Sequence, residues 1–160
     1  MKNIRMVLLG QFLLVAFVFI LCICMASGDA GMSAAAWFAD VVSLLLILLF
    51  LIPGLLIMRE WKDFIKAFSV GIKDYSLLEL KNIIGAVGAA QKLTICGALF
   101  SIIVSIVLIL GNLSDYQYIC PNLAVALLTG LYAVIIEFFL IPLKLNAEKK
   151  MNEEMDLDDE

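Results

Sequence analysis

The sequence predicts an all-α integral membrane protein with four transmembrane helices, and three observations carry that fold class. Hydrophobic residues make up 64% of the 160-residue chain and charged residues 16%, against about 45–50% and about 25% in a typical soluble domain. Four apolar stretches, residues 6–25, 38–58, 93–112 and 121–143, are each long enough for a spanning helix of roughly 20 residues. If all four cross, every one of the 11 Lys and Arg residues lies on the same side. A mean hydropathy of +1.06 agrees with this reading.

Composition also narrows function. The chain has no histidine, so it lacks the commonest general base and metal ligand. A net charge of −4 leaves no basic footprint for nucleic acid. The longest piece between spans is 34 residues, residues 59–92, less than the roughly 40 an independent core usually needs. No soluble catalytic domain fits, and no nucleophile–base pair or metal cluster is visible. The chain is expected to be neither an enzyme nor a cofactor protein.

The first apolar stretch follows Lys2 and Arg5. A signal-peptide reading would make those two residues the charged n-region and Ala26, Ser27 and Gly28 the cleavage site. A signal h-region is usually about 7–15 residues, shorter than this run, which favours an uncleaved helix. Cys22, Cys24, Cys96 and Cys120 follow no metal or disulfide spacing and read as small hydrophobes.

After the second stretch, the loop 59–92 reads as structured. Trp61, Phe64, Ile65 and Phe68 recur at helical spacing among charged residues, which predicts an amphipathic helix on the inner membrane surface or against a neighbouring subunit. Gly71 and Asp74 mark a break. Ser76 and Glu79 then have capping-box spacing, and no proline follows until Pro121. The third membrane helix is therefore expected to begin near Leu77, in the cytoplasm, and to run continuously to about Gly111. Lys92 fits an interface where it can snorkel.

Within that helix Thr94, Gly97, Ser101 and Ser105 form a small, weakly polar stripe; Ala126, Gly130, Ala133 and Glu137 form another on the fourth. Two readings stand for such stripes: close helix packing, or a polar surface facing a partner. Glu137 is the one ionisable residue well inside a span, seven residues before Lys144, and intramembrane carboxylates are functional candidates by default. Its bland alternatives are a tilt toward the headgroups or a pair with Lys92 or Lys144. Residues 1–147 form one membrane domain, and the acid-rich residues 148–160 read as a solvated, disordered tail. The outer loops, residues 26–37 and 113–120, hold no Lys or Arg, so both termini and the loop 59–92 are expected in the cytoplasm.

Three stretches resemble the MotA/TolQ/ExbB proton-channel family, nearest its four-helix MotA branch. Phe38, Asp40, Ser43 and Leu44 are similar to the FxDxxSL start of the family's second helix. The run from Ala90 to Gly97, with Leu110, Gly111, Asn112 and Asp115, resembles the family's third helix and outer loop. Ala124, Ala126, Thr129, Gly130, Tyr132 and Ala133, then Pro142, resemble its fourth helix. The likeness covers helices two to four.

The resemblance implies a homo-oligomer, a pentamer in the family, around a single-span partner that carries an intramembrane aspartate. It places the chain in the bacterial inner membrane, as a stator-like subunit that converts ion-motive force into mechanical work or energy transduction. The ion would be a proton, with sodium as the alternative. Thr129 and Gly97 match family positions facing the partner helices; Thr94, Ser101, Gly130 and Glu137, read from the stripes and the intramembrane carboxylate rather than from the family, complete the expected ion path. The third and fourth helices would form the inner wall of the oligomer, with the first two toward lipid. Gln91 stands where the family has proline, Ala98 where it has threonine, and Gly130 replaces a second threonine. Those departures carry the alternative, a non-conducting oligomeric scaffold with the same fold.

Overall fold

A computed structural model describes residues 4–26, 40–70, 72–113 and 116–158. They form five helices: α1 (Ile4–Ala26), α2 (Val41–Ile57), α3 (Trp61–Ala67), α4 (Leu77–Gly111) and α5 (Tyr116–Asp158). Among the described residues there is no strand, only an isolated bridge between Val70 and Lys73. The fold is all-α. Two helices, α4 and α5, are long and apolar enough to cross a membrane, and α2 with α3 makes a third if that bent pair is one span. In α1 the apolar segment Met6–Leu21 is shorter.

α2 starts where Asp40, in extended conformation, caps its first turn by accepting from the backbone N–H of Val42 and Ser43. It ends in a Schellman motif: Glu60 N–H donates to the Leu55 carbonyl (3.0 Å) and Arg59 N–H to that of Leu56 (3.1 Å). Arg59 supplies the left-handed residue, at φ 61°, where glycine is usual. The chain bends by 111° there into α3. α3 spans seven residues, and its expected apolar face is divided. Trp61 and Phe64 pack on the core, whereas Ile65 and Phe68 stay exposed.

α4 runs unbroken from Leu77 to Gly111, 35 residues or about 52 Å at 1.5 Å per residue. The capping box is formed in both directions between Ser76 and Glu79. One face is buried along the helix, through Leu80, Ile83, Val87, Ala90, Thr94, Gly97, Ser101 and Ser105 at spacings of three and four. The lower half of that stripe is aliphatic, the upper half small and hydroxylic.

α5 corrects the reading of the C-terminus. The helix does not stop near residue 143, and residues 148–158 continue it to a length of 43 residues. Tertiary contacts hold that extension. Ala147 is fully buried, Asn146 donates to the Val70 carbonyl (3.1 Å), and Lys150 reaches Asp74 at 2.7 Å. This ion pair holds the Asp74 carboxyl below the usual carboxylate range.

Pro142 lies inside α5, where it has no N–H to give the Phe138 carbonyl. The missing donor comes from another helix: Gln11 Nε2 donates to Phe138 O at 2.9 Å. Gln11 is the only strongly polar side chain in Met6–Leu21. Among the described helices, α1 packs against α5 alone. The main core joins the C-terminal part of α2, α3, and the charged-end halves of α4 and α5, around Leu55, Ile83, Val87 and Leu143.

Candidate ion-path residues and the groove at Glu137

The structure brings the hydroxyl and small residues together on faces that meet other helices of the same chain. Thr94 is fully buried, and its hydroxyl donates to the Ala90 carbonyl (2.9 Å). At Gly97, a Cβ would stand 3.0 Å from Phe50 Cβ and 3.5 Å from Ile47 Cα, so α2 lies directly on this glycine. Phe50 in turn packs its ring on Phe100, with centroids 5.1 Å apart. Gly130 is open by comparison, since a Cβ there would meet only Ile102 Cδ1, at 3.9 Å.

Ser101 Oγ and Thr129 Oγ1 lie 3.3 Å apart, both buried, between α4 and α5. Thr129 donates to the Val125 carbonyl at 2.7 Å. The same carbonyl faces Ser43 Oγ at 3.2 Å, and that hydroxyl also bonds the Asp40 carboxylate. Asp40 N–H donates to Tyr132 Oη (2.9 Å). One connected set, Asp40–Ser43–Val125 O–Thr129–Ser101, therefore ties α2, α4 and α5. The sequence reading missed Ser43 and Tyr132 as members. The signal was there in Asp40 and Ser43, three apart at a helix start, but the third partner is a backbone carbonyl that no residue type reveals.

Glu137 stands apart from this set. It lines a groove of about 770 Å³ between α4 and α5, with Gln91, Lys92 and Lys144 among the other walls. Its Oε1 is buried and has no hydrogen-bond partner. The Gln91 amide is a hydrogen-bonding neighbour of the carboxyl. Among the described residues, Glu137 forms no ion pair with Lys92 or Lys144; Lys144 lies 3.9 Å from Glu148 instead. Gln91 was not expected to be near the carboxylate.

Among the described residues no group of three or more His, Cys, Asp or Glu side chains converges as a metal site. Cys96 and Cys120 are free and exposed; the side chains of Cys22 and Cys24, and the loop 26–37 apart from Ala26, lie outside the described residues. On the α3–α4 corner, Lys66 bonds Asp63 (3.0 Å) and Glu79 (3.4 Å), and the Asp63 bond leads in raising its pKa above the ordinary lysine value. The Ser76 N–H holds the Glu79 carboxyl below its ordinary range. Compared with known proteins, the chain matches no family model, no curated protein and no solved structure.

Proposed function

We propose that this chain is the multi-span subunit of an ion-driven membrane machine, working with a single-span partner that brings an intramembrane aspartate. The carrying observation is Glu137, a carboxyl inside the apolar run of α5 with a buried oxygen unpartnered within the chain. A buried, unsatisfied acceptor in an apolar setting is costly and calls for a proton, water or another chain. The likeness to the MotA branch supplies the class of machine, a homo-oligomer in the bacterial inner membrane with four spans and both termini cytoplasmic. The ion is a proton in this reading, with sodium as the alternative.

A second reading, the non-conducting scaffold, is favoured by one specific observation. The hydroxyls of Thr94, Ser101 and Thr129 are engaged inside the chain rather than presented on an open face. One experiment separates the two: co-expression with the product of the adjacent gene, which this reading expects to be a single-span protein with a membrane aspartate, then reconstitution into vesicles and a proton-flux assay. Glu137→Gln keeps the shape and removes the charge, so flux falls while the assembly stays intact. Unchanged flux in this variant retires the role of Glu137, and no flux from the wild-type pair leaves the scaffold.

A further inference from the structure

The groove that begins at Glu137 has a second chemistry at its other end. Lys92 and Lys144 both line the groove, and at Lys144 the apolar stretch of α5 gives way to charged sequence. Beyond Lys92 the floor is Gly85 and Gly88, where an added Cβ would meet nothing within 4 Å. On the apolar side the wall is Leu93 and Ile95. Along its length the groove therefore passes from aliphatic wall through Lys92 to an open backbone floor, with Lys144 beside that floor. That order matches a phospholipid lying along the helices, with acyl chain, phosphate and headgroup in turn.

Charge supports this occupant. Among the described residues Lys92 forms no ion pair, and Lys144 has only the 3.9 Å approach to Glu148 at the edge. Two ammonium groups lining one groove favour an anion within it. Glu137 does not serve, because among the described residues it forms no ion pair with either lysine, and it lies seven residues from Lys144, roughly 10 Å along the axis. Basic pockets between membrane helices, at the level of the headgroups, recognise anionic lipids.

We infer that the Lys92–Lys144 end of this groove is a binding site for one anionic phospholipid, its phosphate between the two lysines and its headgroup over Gly85 and Gly88. The site rests on α4 and α5 crossing the membrane, and it stands whether or not ions pass Glu137.

Native mass spectrometry of the full chain tests it, with the detergent-purified protein offered equal phosphatidylglycerol and phosphatidylcholine. Phosphatidylglycerol is retained at one per chain, in preference by roughly tenfold or more. Lys92→Gln with Lys144→Gln brings it down to the phosphatidylcholine level. Gly88→Leu fills the floor and also loses the lipid although both lysines remain, and Gly85→Leu repeats that test. Lys62→Gln, at an exposed position of α3, changes nothing. Helical circular dichroism and a single gel-filtration peak show that each variant is folded.

Equal retention of the two lipids overturns the site, as does retention by the double-lysine variant or by both glycine variants. Displacement by millimolar inorganic phosphate would instead mark a free-anion site. High-yield Cys96–Cys96 cross-linking between copies would show a second copy covering the groove, and either result sinks the lipid assignment. Because the readout is lipid mass rather than flux, loss of the lipid site leaves the ion-path proposal untouched, and the reverse also holds.

Discussion

Phe138 shows how a single missing proton can organise a helix pair. Its carbonyl faces Pro142, which has no N–H, and Gln11 fills the vacancy from α1. Gln11→Leu strands that carbonyl, and hydrogen bonds between membrane helices are worth about 0.6–2 kcal/mol. Thermal unfolding in detergent should fall by about 1 kcal/mol, with α1 loosened first. Adding Pro142→Ala restores a donor within α5, so the double variant should recover most of the loss. If the proline change does nothing, the Gln11 bond is incidental. Arg59 is the other residue with a legible backbone role. Left-handed backbone costs a non-glycine residue about 1–2 kcal/mol, partly offset by the entropy glycine brings to the unfolded chain. Arg59→Gly should be neutral or raise the melting temperature, and Arg59→Val should lower it.

At the scale of the element, the two glycine stripes separate. Sequence reasoning treated Gly97 and Gly130 alike, as members of two small-residue stripes. The structure places α2 against Gly97 and leaves Gly130 open. Overpacking of about 1–3 kcal/mol is therefore expected for Gly97→Leu within the single chain, and little for Gly130→Ala. Unfolding of the isolated subunit decides this, since a purely inter-subunit role for Gly97 would leave the monomer unaffected. The acid-rich end of α5 is the other element-scale lesson. Leu140, Leu143, Ala147 and Met151 recur at three, four and four, a core-facing period visible in the sequence. The seven acids of residues 148–160 hid it, because charge count argues for a tail while periodicity argues for a helix. Burial of Ala147 and the docking of Lys150 on Asp74 decided in favour of the helix.

Across the whole molecule, one charged contact joins the α3–α4 loop to the end of α5. The Asp74 carboxyl is held below its unfolded value near 3.8 by Lys150. Its contribution is therefore fully present above that value and lost as pH falls through the lower, folded value. Acidification below about pH 4, or Asp74→Asn at neutral pH, should loosen the end of α5. Hydrogen exchange in residues 144–158 would report it; unchanged protection in Asp74→Asn would assign the docking to Asn146 and Ala147 alone. The proposed topology has its own test. Cysteine labelling of Ser114→Cys in a cysteine-free background should occur from outside, and labelling only from the cytoplasmic side would overturn the four-span arrangement.

Much of this was determined by sequence alone because the causes are local. The Ser76–Glu79 box, the proline-free run to Gly111 and the apolar stretches act through the backbone of their own segment. Which face each stripe turns inward is not local, since packing and partner-facing surfaces favour the same small residues. Only the tertiary structure showed Thr94, Gly97, Ser101 and Thr129 buried against helices of their own chain, and Glu137 with one oxygen unpartnered on a groove beside Gln91. The physical reason is that these contacts use backbone carbonyls of Val125 and Phe138 and the crossing of α2 over α4. Neither leaves a mark on residue type.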